Sequence, residues 1–183
     1  MKVALAIAGL VLICSLSVFA EIPVQSNFET DRFTGKWYGI GIASDADWFQ
    51  AKKNKMKMYT TAMMPTAHGG LDVTLSIQKP DGCKVIHDIY KPTGQPGHFQ
   101  YTSSRWGTMH EVRVVETNYD DYILLHFQKT KGTHMSAMVK LLGRTQYLDS
   151  ETVEKFKQFC LQQGIKKENV ALLPVAEECS AEI

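Results

Sequence analysis

The stretch that decides the fold is Thr34–Ser44, TGKWYGIGIAS. It has the alternation of a strand, yet Gly39 and Gly41 interrupt it on the face that also carries Trp37 and Ala43. Glycine in a strand interior loses backbone entropy and packs nothing, so it marks a bulge, a bend or a place where space is needed. Tyr38, Ile40 and Ile42 form the other face. Two readings are open. In one, the glycine face points inward, Trp37 plugs one end of an enclosed space, and the glycines leave that space empty. In the other, the glycines only accommodate a bulge.

Outward from this strand, the chain continues in the same idiom. Seven further segments read as strands: Lys55–Met64, Leu71–Gln78, Lys84–Tyr90, His98–Ser103, Met109–Thr117, Tyr122–Lys129 and His134–Leu142. Turn residues separate them, most clearly Pro80-Asp81-Gly82 and the Pro92–Gly97 run. Short strands at this spacing describe an antiparallel sandwich or barrel. One segment departs from the pattern. Glu151–Gln163 puts Val153, Phe156 and Cys160 at helical spacing, with Ser150 placed to cap it and Gly164 to end it. The sequence therefore predicts an all-β fold: an eight-stranded antiparallel up-and-down barrel with one C-terminal helix outside. A barrel of eight strands has room for its own side chains or one small ligand.

The 183 residues suit one domain, 21–183, preceded at 1–20 by a secretory signal peptide with a basic start, an apolar run and a small residue before Glu21. No other run is long enough to span a bilayer. The net charge of +1 and the mixed distribution of charges argue against a nucleic-acid partner. The sequence predicts a secreted, extracellular monomer with no cofactor and is silent on whether a receptor exists. Cys83, Cys160 and Cys179 remain after the signal peptide, an odd number that predicts one disulfide and one thiol. The six histidines show no metal-ligand spacing.

These residues resemble the lipocalin family. Gly35-Lys36-Trp37 is similar to the Gly-x-Trp motif that opens its first strand, Thr117-Asn118-Tyr119-Asp120 to its Thr-Asp-Tyr motif, and Arg144 to the arginine that ends its last barrel strand. The resemblance implies a cation–π contact between Trp37 and Arg144. Within the family, SRWGTMHEVRVVETNYDDYILL, KFKQFCLQQG and LLPVAEEC look most like the lipocalin-type prostaglandin D synthases. That likeness implies a Cys83–Cys179 disulfide and leaves Cys160 on the apolar stripe of the helix.

The same likeness raises an enzymatic alternative, prostaglandin-H2 D-isomerase. That group uses a cavity thiolate on its second strand, where this chain has Tyr59. Its supporting hydroxyl positions fall on Gly39, Leu75 and Leu142; of that network only Thr61 is present. A phenol with a pKa near 10 is a poor nucleophile at neutral pH. The expectation is a non-enzymatic binder that carries a retinoid, fatty acid, bile pigment or similar small lipophilic ligand, with no catalytic residue. The expected ligand-binding residues are Gly39, Tyr59, Thr61, Met63, Val73, Ile77, Tyr101, His110, Val112, Leu125 and Phe127, with Trp48 and Trp106 at the mouth. Strict alternation over strand two would bury Met56, Met58, Ala62 and Met64; the family mapping puts Tyr59, Thr61 and Met63 inside instead. Lys53, Lys55, Lys57 and Arg105 form a basic rim able to attract a carboxylate, or else a solvated one.

Overall fold

The computed structural model describes residues 21–103 and 106–179; the expected signal peptide and Arg105 lie outside the described residues. Eight strands close a barrel: β1 (Gly35–Ala43), β2 (Thr60–Pro65), β3 (Leu71–Lys79), β4 (Gly82–Pro92), β5 (His98–Thr102), β6 (Met109–Thr117), β7 (Tyr122–Lys131) and β8 (His134–Gly143). Each pairs antiparallel with the next, and β1 closes the circuit by pairing with both β8 and β2. Short helices α1 (Thr30–Phe33) and α2 (Asp47–Gln50) flank β1. The long helix α3 (Ser150–Gln162) follows the barrel.

A ninth strand, β9 (Val170–Leu172), was not foreseen. The sequence shows only a short apolar run there. It lies against the second half of β1, beside Gly41, Ile42 and Ala43, while β2 takes the first half. One edge of β1 thus serves two partners in turn.

The expected start of strand two is corrected. Lys53–Lys55 forms a 3-10 turn, and the ladder begins at Thr60 rather than Lys55. The helix is capped by Asp149, not Ser150: the Asp149 carboxylate accepts from the Thr152 N–H at 2.8 Å.

β1 contains a bulge between Gly39 and Gly41, where Gly39 pairs with Leu142 and Gly41 with Leu141. The extra residue reverses the strand's phase. Before the bulge, Trp37 and Gly39 face inward. After it, Gly41 and Ala43 face α3, and Ile42 turns inward beside Lys140. A Cβ on Gly41 would stand 2.7 Å from the Phe156 ring of the helix. The single inward glycine face therefore does not exist, because the bulge turns Gly41 outward and Ile42 inward. Nor does Gly39 leave space empty. The Tyr59 ring lies directly on it, 2.3 Å from where a Cβ would be.

The closed end is held by the motif residues. Trp37 is fully buried and donates its indole N–H to the Phe33 carbonyl at 2.9 Å. The Arg144 guanidinium lies 3.6 Å from the Trp37 ring centroid, as the resemblance implied. Its three nitrogens also reach the carbonyls of Tyr119, Lys36 and Arg32 at 3.1–3.2 Å. Tyr119 sits at φ +68°, a left-handed turn conformation stabilised where its N–H donates to Thr117 Oγ1 at 2.9 Å. The Cys83–Cys179 disulfide is formed and ties the C-terminal tail to β4. The tail lies along the outside of the barrel, where the Met58 N–H donates to the Pro174 carbonyl at 2.9 Å and Glu178 meets Lys36 and Tyr38.

Candidate functional site

The barrel interior is the candidate site, and the strand register determines which side chains enter it. Residues paired across an antiparallel ladder share a face. Thr61 pairs with Trp37 and Leu75, Met63 with Val73, and Val73 with Asp88. Val112 pairs with Phe127 and Phe99, Tyr101 with His110, and Leu125 with Lys140. Tyr59, Thr61, Met63, Val73, Val112, Leu125 and Phe127 are buried there, while Ile77 and Tyr101 are partly buried. Met64 is 59% exposed, so the phase set by Thr61 and Met63 holds on β2. Met58 is buried as well, beneath the C-terminal tail.

The positions that the resemblance implies for the isomerase chemistry lie close together. Gly39 and Leu142 are cross-strand partners, Thr61 and Leu75 likewise, and the Tyr59 ring covers Gly39. The Tyr59 hydroxyl is buried without a hydrogen-bond partner among the described residues. Burial raises its pKa, so it is a neutral phenol. Cys160 lies outside the barrel on α3, fully buried, and burial pushes its thiol up to about 12.

Polar groups line one wall of the interior. Tyr90, Tyr101 and His110 stack in sequence, with centroids 4.6 Å apart at each step. His110 Nε2 is 3.0 Å from Thr108 Oγ1, and Nδ1 has no partner among the described residues. Burial first, and then the charges of Lys129 and Lys140, lower the His110 pKa to about 4. It is a neutral histidine on the inner wall.

The residue that sequence reasoning missed is Lys140. It shares the inward face of β8 with Leu142 and Met138. Its ammonium lies 4.6 Å from the Phe127 ring centroid and 5.7 Å from that of Tyr59. Desolvation lowers its pKa to about 8, partly opposed by the charge of Asp88. Asp88 faces the same interior from β4, in phase with Tyr90. A signal for both existed: each sits two residues from an inward apolar residue, which marks a charge on a barrel's inner face.

A cleft of about 460 Å3 opens between β4 and β5, lined in part by Asp88, Tyr101, Ile89 and Met109. β4 and β5 pair at Lys91–Gln100 and Pro92–Phe99 and diverge beyond. The two predicted mouth tryptophans are surface residues, Trp48 in α2 at 41% and Trp106 between β5 and β6 at 65% exposure. The described members of the basic rim are Lys53, Lys55 and Lys57. Lys53 is held by Asn169 Oδ1 at 2.9 Å and by the Glu168 carbonyl, while Lys55 and Lys57 point to solvent. Among the described residues no group of three or more histidine, cysteine, aspartate or glutamate side chains is placed to hold a metal, and no helix is long and apolar enough to cross a membrane.

Comparison with known proteins agrees with this geometry. The lipocalin / cytosolic fatty-acid binding protein family model matches residues 34–176. A lipocalin of Rhinella marina is 44% identical over 175 residues, covering 96% of each chain. The prostaglandin-H2 D-isomerase of Mus musculus is 39% identical over 181 residues, covering 95% of each chain. A solved structure described as "The Siderocalin Ex-FABP functions through dual ligand specificities" superposes with a TM-score of 0.71 at 26% identity, covering 81% of this chain and 99% of that one. With its Trp37–Arg144 seal, its closed barrel and these relatives, the chain belongs to the lipocalin family.

Proposed function

We propose that this protein is a secreted, non-enzymatic carrier of small lipophilic acids, which enter the barrel with the acid group toward Lys140. One observation carries the reading. Lys140 presents an ammonium inside an aromatic barrel, and among the described residues no carboxylate lies within ion-pairing distance of it. A partly desolvated cation without a counter-ion is costly, and a ligand that brings its own carboxylate relieves that cost while burying its apolar tail. The disulfide and the signal-like N-terminus support secretion. The test is calorimetry and tryptophan quenching with retinoic acid and its alcohol, retinol. The acid binds in the micromolar range or tighter, about −8 kcal/mol, and more strongly than the alcohol. Failure of both to bind, across a panel of similar lipids, would overturn the carrier reading.

A second reading is favoured by the isomerase relatives: conversion of prostaglandin endoperoxide to the D-series product. Against it stands Tyr59, a neutral buried phenol where the resemblance implies the nucleophile, and Cys160, sealed outside the barrel. Purified protein with excess thiol is expected to convert the endoperoxide no faster than the spontaneous reaction. Efficient thiol-dependent turnover would replace the carrier reading with the enzymatic one.

A further inference from the structure

We propose that Lys140 captures lipophilic aldehydes covalently, as a reversible imine formed inside the barrel; the inference rests on the carrier reading. The geometry supplies what such a reaction needs. The amine projects from the middle of β8 into the interior, flanked by the rings of Phe127 and Tyr59. It is only partly shielded, so a carbonyl can reach it and water can leave. No carboxylate pairs with it among the described residues, and a desolvated ammonium without a counter-ion gives up its proton readily. The charged and titratable groups that share the inner face with it are Asp88 and Tyr90 from β4, Tyr101 from β5, His110 from β6, Lys129 from β7 and Tyr59 just before β2. Asp88 favours the ammonium, but desolvation outweighs it. With a pKa of about 8, roughly a fifth of the chains carry a neutral amine at pH 7.4, against about one in a thousand for an ordinary surface lysine.

The chemistry balances without an oxidant or reductant. The Nζ lone pair attacks the aldehyde carbon, forming the C–N bond as the carbonyl π electrons move to oxygen. A proton passes from nitrogen to that oxygen, giving the carbinolamine. The hydroxyl then leaves with a proton as water, and the C=N bond forms; water reverses the sequence. The Tyr59 ring flanks the amine, its centroid 5.7 Å away, and adds to the apolar wall around the reacting atoms. An apolar barrel lets the tail hold the aldehyde at high local concentration near the amine.

All-trans-retinaldehyde is the probe. One equivalent is mixed with the full-length secreted protein, the imine is trapped with cyanoborohydride, and the adduct is located by peptide mass mapping. The expected result is one adduct per chain, on Lys140, with a trapping rate that rises between pH 6 and pH 8 and levels off above. Lys140→Arg keeps the cation but cannot form an imine, and should trap at least tenfold less; thermal unfolding verifies that it is folded. Adducts spread over exposed lysines, in equal amounts in wild type and Lys140→Arg, would overturn the proposal. Retinol, which has no carbonyl, separates the two readings in the wild type. If retinol quenches and Lys140 is not trapped, the imine alone falls. If neither retinoid quenches and no adduct forms at Lys140, the carrier reading falls with it.

Discussion

Gly39 and Tyr59 form a pair whose coupling can be measured. The Tyr59 ring occupies the space that a Cβ at position 39 would need. Gly39→Ala therefore overpacks the barrel interior and should cost about 1–3 kcal/mol. In a Tyr59→Ala background the clash vanishes, so the same substitution should become nearly neutral or favourable. A double-mutant cycle by denaturant unfolding reads this directly; equal costs in both backgrounds would show that Tyr59 is not the obstacle. Lys140 makes the second prediction at this scale. Its pKa of about 8 lies below the ordinary lysine value, and a bound carboxylate favours the ammonium. Affinity for retinoic acid should thus hold below pH 8 and fall above it, approaching tenfold per pH unit, whereas retinol binding stays flat. Calorimetry from pH 6.5 to 9.5 tests it. The Gly39–Tyr59 contact is not visible in a linear pattern, and the setting of Lys140 only in part. The alternation on β8 places Lys140 in phase with Leu142, but only the closed barrel turns that phase toward the rings of Phe127 on β7 and Tyr59 just before β2.

The helix and the C-terminal tail are the elements whose attachment can be tested. Asp149 caps α3 through both the N–H and the hydroxyl of Thr152, each at 2.8 Å. Asp149→Ala should cost about 1 kcal/mol, lowering the melting temperature by roughly 2–4 °C for a chain of this size. Ser150→Ala should leave it almost unchanged. The apolar face of α3 buries Phe156, Phe159 and Cys160 against β1 and its neighbours. Cys160, with its thiol pushed up to about 12, should resist thiol reagents in the native state and react on unfolding. The Cys83–Cys179 bridge closes a loop of 96 residues, and its removal should cost about 2–5 kcal/mol. Much of this element-scale structure was legible. The helical spacing of Val153, Phe156 and Cys160 predicts α3 to within one residue. Its cap was misread because Asp149 and Ser150 are both good caps in sequence, and the choice depends on where the chain leaves β8. β9 is three residues long and has no periodicity to read; its existence depends on the free half-edge of β1.

At the scale of the molecule, acid should loosen the barrel through its buried histidines. His110 and His126 each have a folded pKa of about 4, held down first by burial and then by nearby cations. The unfolded chain protonates near 6.5 and so binds more protons than the folded one between these values. Their stabilisation is therefore complete above about pH 6.5 and is lost as the pH falls toward 4, by about 2–3 kcal/mol for each group. Thermal unfolding from pH 7.5 to 4 should show this decline, and His126→Gln should flatten it.

By itself, the sequence determined the number and order of the barrel strands, the late helix and the motif residues that close one end. These depend on local alternation, turn residues and helical spacing, which neighbours along the chain decide. The family likeness added the Cys83–Cys179 pairing and the Trp37–Arg144 contact. Only the tertiary structure decided what the interior contains. The bulge at Ile40 turns Gly41 to the helix, Tyr59 fills the space over Gly39, and Lys140 stands inside without a carboxylate partner among the described residues. A bulge is a relation between two strands, and a filled interior or an unpaired cation is a relation across a barrel. Such properties arise only when strands far apart in sequence share one face, because register, and not composition, sets which side chains meet.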